Sequence, residues 1–139
     1  MTPEAIDAFM TAYADAFSRG AVDEICAKWA YPATIAARGK RTALDAAQFC
    51  ENTNSLCAFY AVQGMRRAAK KVINVTALTA SIAAVRTADT LFDAAGAVLL
   101  SWEHAYIVSE TPDGLRAIAA FPDAELNAWQ SRGTRLGTW

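Results

Sequence analysis

The stretch from Ile82 to Phe121 constrains the fold most, because it reads as two long strands and a third that returns from them. Ser81 to Phe92 (SIAAVRTADTLF) and Ala97 to Ser109 (AVLLSWEHAYIVS) are joined by Asp93-Ala94-Ala95-Gly96, and Thr111-Pro112-Asp113-Gly114 turns into LRAIAAF. Ala94 or Pro112 at the second position and Gly96 or Gly114 at the fourth suit type I turns, with glycine supplying the positive φ that returns the chain to the sheet. Strands of about twelve residues exceed the usual five or six, so their sheet should be strongly twisted and curved. A curved sheet needs other elements to close it, and the preceding chain reads as helices that can do so. The expected class is α+β.

Thr2-Pro3-Glu4 starts the first helix, with Thr as cap, Pro where its missing N–H costs nothing, and Glu at the positive end of the dipole. Ile6, Phe9, Met10, Tyr13 and Phe17 mark its buried stripe and Gly20 its end. Val22, Ile25, Cys26 and Trp29 repeat the period in a short second helix that Tyr31-Pro32 should stop. Ala33 to Ala43 reads as one short strand and a brief return. A third helix, capped by Thr42 or Asp45, carries Leu44, Phe49, Thr53, Leu56 and Tyr60 and ends at Gly64, and the poor helix formers Glu51 to Ser55 leave room for a break. From Arg66 the pattern alternates as a strand that leads into the hairpin. After Pro122, one or two helical turns should carry Leu126 and Trp129. With 139 residues, one core is expected, hence a single domain over 1–139 with its core at about 3–121 and a tail at 122–139.

Charge and composition narrow the partners. Thirteen basic and fourteen acidic residues give a net charge of −1, and the basic residues cluster no further than pairs such as Arg66-Arg67 and Lys70-Lys71, which argues against nucleic acid. No apolar run reaches the length of a membrane span and no secretory signal opens the chain. Cys26, Cys50 and Cys57 show no metal-like spacing and read as reduced core residues, which suggests a cytoplasmic location and no metal or cofactor.

The order of helix, helix, short strands, helix and long meander resembles the SnoaL-like and ketosteroid-isomerase-like proteins of the nuclear transport factor 2 superfamily. The residues that carry the likeness are AFMTAYADAFSRGAVDEICAKWAYPATI and WEHAYIVSETPDGLRAI, and it covers the chain from Pro3 to Phe121. The resemblance implies a cystatin-like cone, in which a curved mixed or antiparallel sheet wraps three N-terminal helices around a pocket. It further implies a small polyketide-like or steroid-like ligand and association through the sheet. In the isomerases a tyrosine seven residues before the glycine of the first helix donates to the developing oxyanion; Tyr13 holds that place before Gly20. The shuttling aspartate of those enzymes corresponds to Ala37 here, so their base is absent, and their protonated aspartate corresponds to Glu103.

His104, the only histidine, is the candidate acid/base group because its ordinary pKa lies near neutrality. Its neighbours depend on the Asp93–Gly96 turn. An even turn places Arg86 opposite Glu103, whereas a one-residue bulge at Gly96 places it opposite His104. The bulge is favoured, and it puts Arg86, Trp102, His104 and Tyr106 on the inner face with Asp89, Ser101, Glu103 and Ala105 outside. The acid/base set is then His104 assisted by Arg86 and Tyr13, and Phe17, Trp29, Phe59, Tyr60, Trp102 and Tyr106 are expected to line a ligand pocket. Val85, Leu91, Leu99 and Ile107 would form an apolar outer face that a homodimer covers, with Trp129 and Trp139 available for a tail or dimer contact. The expected function is binding of a small apolar molecule, with isomerase, lyase or hydrolase activity; the alternative is a ligand-binding or dimerisation module without turnover.

Overall fold

A computed structural model describes residues 1–137. Helix α1 (Pro3–Arg19) opens with the Thr2 hydroxyl accepting from the Ala5 amide at 3.1 Å and closes at Gly20, whose φ of 61° is left-handed. Its stripe of Ile6, Phe9, Met10, Tyr13 and Phe17 is buried. Ser18 ties the helix to the sheet, since its hydroxyl accepts from the Ala68 amide at 2.9 Å. Helix α2 (Val22–Ala27) ends sooner than its periodicity suggests, and strand β1 (Trp29–Ala37) begins at Trp29 rather than at Ala33. Tertiary pairing captures that segment: Trp29 is the register partner of Ala117, and the Lys28 carbonyl accepts from the Ala117 amide at 2.8 Å.

Strand β2 (Lys40–Leu44) returns from β1, and helix α3 (Ala46–Val62) follows, unbroken at Glu51 to Ser55 where the sequence left room for a break. Asp45 is its cap. The carboxylate accepts from the Gln48 amide while the Gln48 side chain accepts from the Asp45 amide, a reciprocal arrangement that satisfies two orphan donors. Strands β3 (Arg67–Ala77), β4 (Ile82–Phe92), β5 (Val98–Thr111) and β6 (Gly114–Phe121) form the meander, and helix α4 (Asp123–Ser131) follows Pro122. The six strands make one sheet in the order β2-β1-β6-β5-β4-β3, antiparallel throughout except for the parallel β1–β6 pair. The chain is therefore a mixed α+β fold in which helices precede and cover a curved sheet.

The hairpin register decides which side chains face the helices. Gly96, at φ 79°, supplies the bulge expected at the turn, so Phe92 pairs with Val98. A second shift then skips Leu99 and pairs Leu91 with Leu100. One shift exchanges the two faces of a strand and a second restores them. Arg86 consequently stands opposite Ala105 on the outer face, where it forms an ion pair with Glu103, and the expectation that it shares a face with His104 is corrected. Asp89 moves the other way and is buried with His104. The physical reason is the adjacent pair Leu99-Leu100: at a bulge both can turn inward, and both are buried.

The same register corrects the proposed apolar outer face. Val85, Leu91 and Leu99 are buried beneath the helices, leaving Ile107 alone of the four on the outer surface, partly exposed among Ser101, Glu103 and Ala105. Trp129 is no tail contact either; it is 1% exposed and belongs to the core. Trp139 lies outside the described residues. Cys26 on α2 and Cys50 on α3 are joined as a disulfide with Cα atoms 5.8 Å apart, which corrects the reading of all three cysteines as reduced, and Cys57 remains a thiol. No helix among the described residues is long and apolar enough to cross a membrane.

Candidate functional site

Between the concave sheet and helices α1, α3 and α4 lies a cavity of about 570 Å³. Its walls are mainly apolar, and nine Phe, Tyr and Trp side chains from the inward positions of these elements stand among them. Phe17, Trp29, Phe59, Tyr60, Trp102 and Tyr106 line it, and so do Tyr13 and His104; Arg86 does not, being exposed on the other side of the sheet.

Lys70, Asp89, His104 and Glu125 come to the lining from β3, β4, β5 and α4, and Thr42, Asn52, Thr53, Ser55 and Arg135 add polar groups elsewhere on it. Lys70 and Asp89 are register partners on β3 and β4, and the ammonium donates to Asp89 Oδ2 at 2.5 Å and to the Tyr106 hydroxyl at 2.6 Å. The other oxygen of Asp89 accepts from Thr87 at 2.5 Å. Both members of the ion pair are almost wholly buried, with side chains 8% and 2% exposed. Lys70 also lies over aromatic rings, 5.2 Å from the centroid of Tyr13 and 5.0 Å from that of Tyr106, where the ring quadrupoles favour its charge.

His104 stacks on Tyr106 with centroids 4.5 Å apart. Its Nδ1 accepts from the indole N–H of Trp102 at 2.9 Å, and since indole can only donate, the proton of the neutral ring resides on Nε2. Burial, reinforced by the charge of Lys70 and opposed by Asp89, pushes its pKa down to about 3. The cation acting on His104 is thus Lys70 and not Arg86. A ring that is neutral and already holds a donor on Nδ1 is suited to donate through Nε2–H, and it is a poor base at neutral pH.

Three phenols complete the floor. The Tyr13 hydroxyl accepts from Trp29 Nε1 at 2.9 Å, Tyr106 accepts from Lys70, and Tyr60 donates to Glu125 Oε2 at 2.5 Å. Burial raises all three above the ordinary phenol range, so each keeps its proton. Glu125, on the first turn of α4, also accepts from Trp129 Nε1 at 3.2 Å, and burial raises its carboxyl above the usual range despite the two donors. No group of three or more His, Cys, Asp or Glu side chains among the described residues is arranged to hold a metal ion.

Sequence reasoning missed Lys70, Asp89 and Glu125. Lys70 sits beside Lys71 in an alternating strand, so one of the two had to point inward. Glu125 precedes Trp129 by one helical turn on the stripe that also bears Leu126, a placement that buries a carboxylate if the helix docks.

Residues 3–125 match the family profile described as NTF2-like protein (DUF6841). No curated protein matches the chain. Solved structures do. A cystatin-like-fold domain of unknown function from Nostoc punctiforme is similar at a TM-score of 0.68 and 16% identity, with 87% of this chain and 77% of that one covered. An NTF-2 like protein of unknown function from Shewanella oneidensis gives 0.68 and 13%, covering 87% and 98%. A ketosteroid isomerase-like protein from Erwinia carotovora atroseptica gives 0.63 and 19%, covering 87% and 95%. At these identities the likeness is one of fold.

Proposed function

Because the chain belongs to the family of NTF2-like proteins (DUF6841), we propose that its cavity is a hydrophobic pocket for a small, mostly apolar ligand of polyketide or steroid type, on which it acts by proton transfer as an isomerase, lyase or hydrolase. The observation that carries this reading is the convergence of Tyr13, Lys70, His104, Tyr106 and Glu125 on one aromatic-walled cavity of about 570 Å³. Tyr13 and Tyr106 each accept one hydrogen bond and keep an O–H that no acceptor among the described residues takes. Together with Nε2–H of His104, these donors suit a ligand that presents a carbonyl oxygen, and they would stabilise charge developing there. Arg86 has no part in this reading.

Trp29, Trp102 and Trp129 line the cavity, so their fluorescence reports occupancy. Titration with β-tetralone and with a steroid enone should quench it saturably, and proton NMR in D2O should show deuterium entering beside the carbonyl faster than in buffer. Absence of quenching by either compound would defeat the pocket reading. Binding without exchange would favour the second reading, a ligand-binding module without turnover, which draws support from the extent to which Asp89, Lys70 and Thr87 satisfy one another.

Homodimerisation through the sheet is also proposed, now on the outer face bearing Ala84, Ala88, Ala105, Ile107 and Phe121. Light scattering should give twice the chain mass of 14.9 kDa, and the single mass would end the proposal. A cytoplasmic location is also proposed, in which reduction would open the Cys26–Cys50 disulfide; alkylation of fresh lysate should then modify both sulfurs, and a pair that stays blocked would assign an oxidising compartment.

A further inference from the structure

The buried acid–base groups of the cavity differ in what they leave open. Asp89 has Oδ1 occupied by Thr87 and Oδ2 by Lys70, and the lone pair of His104 Nδ1 is occupied by Trp102. In Glu125 both protein hydrogen bonds, from Tyr60 and from Trp129, arrive at Oε2. Oε1 accepts none from the described residues, and it stands 4.0 Å from His104 Nδ1. Among the described residues no fully buried side-chain oxygen lacks a partner, so Oε1 opens on the cavity that Glu125 lines.

On the reading of that cavity as a ligand site, we infer that Glu125 is the catalytic residue that exchanges a proton with the ligand, through Oε1. A C–H bond beside the ligand carbonyl breaks and its proton forms an O–H bond at Oε1. The electron pair left on carbon moves to the carbonyl oxygen, which takes hydrogen bonds from the Tyr13 and Tyr106 phenols. Return of the proton to the ligand restores carbonyl and carboxylate, with no other reactant. Tyr60 and Trp129 hold Oε2, so the carboxyl is oriented without losing its reactive oxygen. Burial raises its pKa above the usual carboxyl range, which makes it a stronger base than a solvated carboxylate. The helix that delivers it is strapped in place: Arg38, in the β1–β2 turn, donates its amide to Asp123 at 3.0 Å and its guanidinium to Asn127 at 2.9 Å and Gln130 at 2.5 Å.

Two measurements test the assignment. The apolar epoxide 1,2-epoxy-3-(4-nitrophenoxy)propane should esterify Glu125: Oε1 attacks the terminal epoxide carbon, the ring C–O bond breaks, and the alkoxide takes a proton from water. Peptide mass spectrometry should find one adduct, on Glu125 and absent from Glu125→Gln. An adduct on Asp89 in its place, or adducts spread evenly over surface carboxylates, overturns the inference. In the β-tetralone exchange assay, Glu125→Gln should lose about a hundredfold or more in rate with an unchanged quenching midpoint, and Glu125→Asp should be slowed as well. Exchange by the wild type that survives in Glu125→Gln overturns the inference and leaves the proposed function standing. Absence of exchange from the wild type overturns both. If Glu125→Gln does not fold, the wild-type adduct decides.

Discussion

Lys70 and Asp89 face each other across β3 and β4 with 2.5 Å between ammonium and carboxylate, in a part of the sheet where water scarcely reaches either. Removing one partner strands the other charge in the interior. Asp89→Asn should therefore cost about 3–5 kcal/mol of stability, measured by urea unfolding. Replacing both, as Lys70→Met with Asp89→Leu, should recover most of that loss, and a double variant no more stable than Asp89→Asn would show that the pair does more than satisfy itself.

The pH dependence of stability should carry the signature of His104. The folded protein resists protonating this ring until the pH falls to about 3, whereas the unfolded chain takes up the proton near 6.5. Between those values the unfolded state binds more protons, so the contribution of His104 is present above 6.5 and is lost as the pH falls, at up to about 1.4 kcal/mol per pH unit. Glu125 acts with the opposite sign: its raised pKa favours the folded state at low pH, and that contribution is lost as the pH rises through the raised value. Urea unfolding across the acid window should show a shallower slope in His104→Gln than in the wild type, and equal slopes would place the titration elsewhere.

Arg86→Ala should leave β-tetralone binding and exchange unchanged and alter stability by less than about 1 kcal/mol, because the pair with Glu103 is half-exposed on the outer face. A large loss of activity would contradict the hairpin register.

Trp129→Ala should cost about 3–5 kcal/mol, since the side chain is wholly buried against Phe59 and Tyr60. Arg38→Ala should cost far less, yet it should slow epoxide labelling of Glu125 by loosening α4. Unchanged labelling kinetics would show that the strap does not position the helix.

The parts legible in the sequence were those set by local chemistry. The α1 stripe ending at Gly20, the Asp45 cap, and the Gly96 bulge each follow from residues within a turn of one another. The aromatic lining was legible too, because inward positions repeat with the period of the element. The facing of Arg86 and Asp89 was not, since it turns on a second bulge at Leu99 that nothing local requires; only the adjacent Leu99-Leu100 pair hints at it. Glu125 was hidden for a different reason. It follows a proline that ends the sheet, and its burial depends on α4 docking against β5, on the distant Tyr60 that donates to it, and on Arg38, which holds the helix through Asp123, Asn127 and Gln130.

The parallel pairing of β1 with β6 joins the first strand of the chain to the last, and this sets the timetable of assembly. While the protein is being synthesised, β1 can pair only with β2, and the hairpin they form has no partner on its other side until Gly114–Phe121 has left the ribosome. The cone therefore closes only after β6 has emerged, when the preceding helices and strands are already available to pack. Chains that stop before Gly114 should leave unprotected in hydrogen exchange those β1 amides that bond to β6, however well the β1–β2 and β3–β4 hairpins have formed.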